Sequence, residues 1–127
     1  MIKLTFCLRR KEGLSYEEFH DYWLNRHGPL VRTQMEALKI RKYVQSHQIN
    51  DPEFNEGIGK SRNAPPGYDG IAELWYDSVE SVTENGRYDA TRKAGRILLE
   101  DERNFIDLEN SPLWFNEEHI IIEENAG

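Results

Sequence analysis

Apolar side chains recur at every second position where the chain begins. Ile2, Leu4, Phe6 and Leu8 alternate with Lys3, Thr5, Cys7 and Arg9, the period of a strand with one apolar face. Gly13 turns the chain. Ser15-Tyr16-Glu17-Glu18 then has the S-x-x-E spacing of a capping box, in which Ser15 and Glu18 satisfy each other's backbone N–H groups. From there the spacing lengthens. Tyr16, Phe19, Trp23 and His27 fall on one face of a helix predicted to run to about Arg26. Gly28-Pro29 directly behind it predicts a break or bend. A second helical piece then runs to about Leu38, with Leu30, Val31, Met35 and Leu38 on its apolar side.

Residues 40–49 return to period two, with Tyr43, Gln45, His47 and Ile49 on one face and Ile40, Lys42, Val44 and Ser46 on the other. Asn50 to Tyr68 reads as a loop with three prolines and three glycines. A loop of that length is expected to be a lid or pocket rim, or a mobile insertion; Lys60 and Arg62 are the cations it could bring to an oxygen anion. A third strand, Asp69 to Tyr76, places Ile71, Glu73 and Trp75 opposite in phase to Ala72, Leu74 and Tyr76. Asp77-Ser78 caps a short helix ending near Gly86, and a longer helix spans about Asp89 to Phe105, with Ala94, Ile97, Leu98 and Ile106 inward. Phe115 to Glu123, centred on His119-Ile120-Ile121-Ile122, is the last predicted strand.

Strand, helix, strand, strand, helix, strand is the split βαβ order. It predicts an α+β, ferredoxin-like βαββαβ fold: a four-stranded antiparallel sheet with its helices on one face, in a single domain over residues 1–127. The other face needs cover, and a second copy is the economical one, so a homodimer is expected, with Val44, Leu74 and Ile121 among the residues that could help supply the contact.

Composition narrows the function. The net charge is −7 (16 basic against 23 acidic residues), with Arg9-Arg10-Lys11 the single basic triplet, so nucleic acid is not an expected partner. No apolar run is long enough for a membrane span. The lone Cys7 excludes an intrachain disulfide and fits a reducing compartment. With no long apolar segment at Met1-Ile2-Lys3-Leu4, a soluble cytoplasmic protein is the default expectation. Metal chemistry is not expected either. His20 and His27 are seven residues apart, about 10.5 Å along a helix, too far to share one ion. Neither a Gly-rich phosphate loop nor a G-x-S-x-G elbow occurs.

Acid–base residues remain. His27 shares its helix face with Phe19 and Trp23, so a titratable ring is carried into an apolar setting; a structural histidine with a satisfied ring nitrogen is the plain alternative. Tyr43, Gln45 and His47 share a strand face. Glu73 alternates in phase with Ile71 and Trp75, and a carboxylate on a core face must be protonated, paired or functional; at a sheet edge it would simply face solvent. A histidine–carboxylate pair would suit proton transfer. His119 reads as structural and Asp107 as a cap or pair at a helix end.

Several motifs together resemble the EthD-domain family of the dimeric α+β barrel superfamily. They are Leu8-Arg9-Arg10-Lys11, Gly13-Leu14-Ser15, Glu18-Phe19, Tyr22-Trp23, His27-Gly28-Pro29-Leu30, Tyr43-Val44-Gln45-Ser46-His47, Tyr68 through Trp75, Asp101-Glu102 and Asn104-Phe105-Ile106-Asp107. Similar proteins include lactone isomerases, polyketide cyclases, aromatic decarboxylases and dehydratases, and accessory proteins of ether-degradation operons. The resemblance implies a homodimer acting without a cofactor on a small cyclic or aromatic carbonyl compound, as a lyase or isomerase. It points to His27 first, then His47, Tyr43 and Glu73. His27 is the candidate general acid–base, and Phe19, Trp23, Trp75 and Gln45 are the candidate substrate-binding residues. A non-catalytic small-molecule binder or accessory protein of a degradation pathway is the alternative.

Overall fold

β1 (Ile2–Leu8) is an inner strand with one apolar face. In the computed structural model, which describes residues 1–125, it is flanked by β3 (Gly70–Tyr76) and β4 (Leu113–Glu117), and β2 (Lys42–His47) lies outside β3. The order β2-β3-β1-β4 is antiparallel throughout. Between strands the chain forms α1 (Tyr16–Tyr22), α2 (Gly28–Leu38), α3 (Pro52–Lys60), α4 (Val79–Asn85) and α5 (Asp89–Glu102). This is the expected ferredoxin-like α+β architecture.

Register decides which side chains meet. Leu4, Phe6 and Leu8 of β1 stand opposite Leu74, Ala72 and Gly70 of β3. Those three β3 residues stand in turn opposite Tyr43, Gln45 and His47 of β2. Because alternate residues share a face, this set faces the helices. It joins Phe19, Trp23, Val31, Leu98 and Phe105 in one core. Phe19, Trp23, Phe105 and Leu8 are the largest wholly buried side chains. Lys3, Thr5, Ile71, Glu73, Trp75 and Val44 therefore occupy the outer face.

Ser15 caps α1 through the full capping box with Glu18. The expected break at Gly28-Pro29 does not occur. The helix widens instead into a π turn over Trp23–His27 and continues as α2. Pro29 has no N–H and its ring would crowd the carbonyl four residues back; a π turn shifts the hydrogen-bond pairing by one residue and absorbs the proline without stopping the helix.

Two further expectations are corrected. Residues 50–68 are not a bare loop: Asp51 accepts from the Phe54 N–H and caps α3, with Pro52 in its first turn. The last strand lies earlier than the isoleucine run suggested. Glu117 already pairs with Ile2 at the start of β1, so beyond it the ladder has no neighbour. Ile120, Ile121 and Ile122 are 72%, 86% and 90% exposed. Leu74, expected to help cover the open side, faces the helices, and Ile121 lies outside the sheet.

Candidate active site

Helix α5 delivers two carboxylates where its apolar stripe ends. Ala94, Leu98, Phe105 and Ile106 are buried at helical spacing, and Asp101 and Glu102 sit within that stripe. Asp101 Oδ2 lies 2.7 Å from Nδ1 of His27, the last residue of the π turn. The Tyr22 hydroxyl donates to the other oxygen, Oδ1, at 2.6 Å, and Asn104 donates to Tyr22 at 3.0 Å. Burial alone would raise the Asp101 pKa, but the hydrogen bonds from Tyr22 and His27 outweigh it and hold the group below its ordinary value. His27 is buried, which lowers its pKa against the opposing pull of Asp101. At neutral pH the arrangement is an ionised Asp101 accepting from a neutral imidazole, whose Nε2 lone pair is then available.

His27 lines a cavity of about 190 Å³ beneath the sheet, with Tyr43 and Glu102 as further polar members of the wall. Phe6, Leu74, Val31 and Leu98 supply apolar surface. Glu102 is pushed up to about 7, first by burial and second by the neighbouring Asp101 charge. Tyr76, also in the wall, is raised to about 12 by burial. The cavity therefore presents a neutral histidine, an acid near its midpoint at neutral pH and protonated phenols. An apolar cavity of about 150 Å³ holds a benzene ring, so this one has the capacity for one ring with small substituents.

The expected residues divide among three places. His27, Tyr43 and Trp23 meet at the cavity, with Phe19 behind Trp23 at a ring separation of 5.7 Å. His47 and Gln45 share the helix side of the sheet, as expected, but neither belongs to the cavity wall. His47 Nδ1 is 2.5 Å from His20 Nδ1, and its Nε2 is 2.7 Å from Gln45 Oε1. His20 is lowered to about 4 by burial and then by His47. Glu73 and Trp75 do not converge with His27. They lie across the sheet, where Lys3 pairs with Glu73 at 2.7 Å and Lys42 stands 4.7 Å over the Trp75 ring. The strand phases were as read; what fails is the assumption that both strands turned those phases to the same side. Residues 50–68 add nothing to the cavity wall, which removes the expected lid from this pocket.

Asp101 and Glu102 were the missed pair. Their signal is in the sequence: two acids set into the i, i+4, i+7 and i+8 run that begins at Ala94 and Leu98. Among the described residues, no group of three or more His, Cys, Asp or Glu is placed to hold a metal ion, and no helix is long and apolar enough to cross a membrane.

Comparison with known proteins agrees with this architecture. A protein named decarboxylase, from Claviceps purpurea (strain 20.1), is 25% identical over 119 residues, covering 90% of this chain and 82% of the relative. Among solved structures, an EthD family protein of Bacillus halodurans superposes with a TM-score of 0.60 at 21% identity, covering 94% of this chain and 99% of its own. An EthD-like protein of Ralstonia eutropha gives 0.61 at 21% identity, covering 97% and 94%. A protein of unknown function from Bacteroides fragilis, described as dimeric with a ferredoxin-like fold, gives 0.56 at 11% identity, covering 92% and 95%. At these identities the structural likenesses concern the fold. The EthD domain profile matches residues 11–109, and the chain belongs to the EthD domain family.

Proposed function

We propose that this chain is a lyase- or isomerase-type enzyme that moves protons beside the carbonyl of a small, one-ring substrate, without a cofactor. The observation that carries this reading is the His27–Asp101 hydrogen bond at the wall of the cavity that Glu102 also lines. The relative named decarboxylase favours loss of CO2 within that class. In a β-keto acid the C–C bond to the carboxylate breaks, CO2 leaves, and the electron pair passes to the carbonyl as an enolate. Tyr43 donates to the enolate oxygen, and Glu102 gives its proton to carbon before recovering one from solvent. For an isomerisation, His27 Nε2 takes the proton from the carbon beside the carbonyl. Apolar walls strengthen each of these contacts by excluding water.

The test is a panel of cyclic β-keto acids and hydroxybenzoic acids, followed by CO2 release and by deuterium uptake from D2O. Glu102→Gln should lower CO2 release, and His27→Ala the deuterium exchange beside the carbonyl, each by about 10²–10⁴. Undiminished exchange by His27→Ala would overturn the assignment of His27. A non-catalytic binder or accessory protein is the second reading. It is favoured by one observation: Glu73 and His47 lie outside the cavity wall, so two expected acid–base groups are absent from it. Ring-compound binding without turnover across the panel would support it.

A further inference from the structure

The hydrogen bonds behind Tyr43 run in one direction. Gln45 Nε2 lies 2.8 Å from the Trp23 carbonyl oxygen and 2.9 Å from Tyr43 Oη. A carbonyl oxygen can only accept, so the amide nitrogen must face Trp23 and the amide cannot flip. Its second N–H is then aimed at Tyr43 Oη, which must accept it. At the far end, Gln45 Oε1 requires a donor, and His47 Nε2 at 2.7 Å supplies it. His47 Nδ1 then accepts from His20 Nδ1 at 2.5 Å. In this series the hydroxyl proton of Tyr43 is the one left unassigned, and Tyr43 lines the cavity.

The π turn makes the approach possible. Trp23 O takes the Gly28 N–H, a pairing one residue longer than in an α-helix, and the Gln45 amide reaches the same oxygen from the sheet. A Cβ on Gly28 would lie 3.2 Å from Gln45 Nε2 and 3.5 Å from Trp23 O. The φ at Gly28 is −53°, open to any residue, so the space for Gln45, rather than the backbone angle, is what asks for glycine here.

We infer that Gln45 is a positioning residue, anchored by the Trp23 carbonyl and His47 and admitted by Gly28, that turns the Tyr43 hydroxyl into a donor toward the cavity. The ligand group this selects is an anionic oxygen on a single ring, a phenolate or a cyclic enolate. The inference rests on the cavity being the substrate site proposed above, but its test reads binding and needs no turnover.

The probe is 4-nitrophenol, whose ionisation is followed by visible absorbance as the pH is varied with the protein in excess. Bound to the wild-type protein, its pKa should fall below the free value. Tyr43→Phe should raise the bound pKa by about one unit, a tenfold loss for the anion. Gln45→Glu keeps the side chain's size but replaces the donor by a carboxylate, so Tyr43 donates backwards and the bound pKa should rise at least as far. In the Tyr43→Phe background the same change should add less than half its single effect, because the redirected proton is gone. Gly28→Ala should give an intermediate rise.

Additive effects of the two changes would overturn the positioning role, leaving Gln45 as charge or scaffold. A titration in Tyr43→Phe unchanged from the wild type, or no binding of the probe by excess wild-type protein, would overturn the donor assignment. If Gln45→Glu does not fold, Gln45→Leu replaces it: a smaller rise with the same non-additivity supports the inference, and additivity overturns it. Failure of the acid–base reading looks different, as undiminished exchange in His27→Ala with the titration of the bound phenol intact.

Discussion

Asp101 Oδ2 holds His27 Nδ1 at 2.7 Å, and this one contact fixes the tautomer of the ring. An ionised carboxylate can only accept, so the imidazole proton resides on Nδ1 and Nε2 is left as the base. Asp101→Asn breaks that rule, because an amide can also present an N–H to Nδ1 and drive the proton to Nε2. Activity should fall by about 10²–10⁴, the scale on which a positioned general base contributes. The imidazole pKa, read by NMR titration, should drop further below its ordinary value, since Asp101 is what opposes the lowering by burial. An imidazole pKa that rises in this variant would contradict the assignment.

Glu102 links stability to pH in a stated direction. Its pKa is raised from an unfolded value of 4.5 to about 7 in the folded protein, by burial and then by Asp101. Below pH 4.5 the group is protonated in both states and its contribution is fully present. Between 4.5 and 7 the unfolded chain ionises while the folded site resists, so stability declines; above 7 the loss is complete, on the order of 3 kcal/mol. Glu102→Gln removes this decline. The variant should melt higher than the wild type at pH 8 and close to it at pH 4.5, as thermal denaturation across that range would reveal. A constant difference at all pH values would show that folding does not shift the Glu102 pKa.

Gly70 lies at the start of β3 opposite His47, beneath the Trp23 ring. A Cβ there would stand 2.3 Å from Trp23 Cζ3 and 2.9 Å from the Ser46 carbonyl oxygen. A ring packed at 1% exposure has little room to give, so Gly70→Ala should cost about 1–3 kcal/mol. Denaturant unfolding measures it. The strain should also reach the site, because Trp23 stacks on His47 at 4.2 Å and its carbonyl anchors Gln45.

What was legible in the chain depended on the range of the interaction that determines it. The capping box at Ser15 and the buried face of Phe19, Trp23 and His27 are local, set by spacing along one helix. So was the phase of each strand: Tyr43, Gln45 and His47 do share a face. How two strands are turned relative to each other is not local. Glu73 pairs across the sheet with Val44 rather than Gln45, and that single register places it opposite the histidines. Gly28-Pro29 carries the usual signature of a helix end, but its outcome depended on whether the next turn could re-pair, which the π turn does. Ile120 to Ile122 has strong β propensity and lies outside the sheet because β1 has ended. Asp101 was readable as an acid in an apolar stripe; that its partner would be His27, 74 residues away, was not.

The outer face of the sheet is the last expectation to test. Ile71 and Trp114 are 37% and 48% exposed on the side that no helix covers, and half-buried Val44 is on the same face, in the opposite edge strand from Trp114. The chain exposes 9205 Å² in all, whereas a folded monomer of 14.9 kDa is expected to expose roughly 7,000 Å². Exposed apolar side chains lie on α3 (Phe54, Ile58), after Glu117 (Ile120 to Ile122) and on the bare sheet face (Ile71, Trp114). Light scattering at micromolar concentration should give twice 14.9 kDa, since an obligate interface of about 2,000 Å² or more holds at that dilution. Ile71→Glu together with Trp114→Glu places two charges on that exposed face and should return the mass to that of one chain. The helix-side core, built from the opposite phase of each strand, should keep its circular dichroism. A wild-type monomer under these conditions would rule the dimer out.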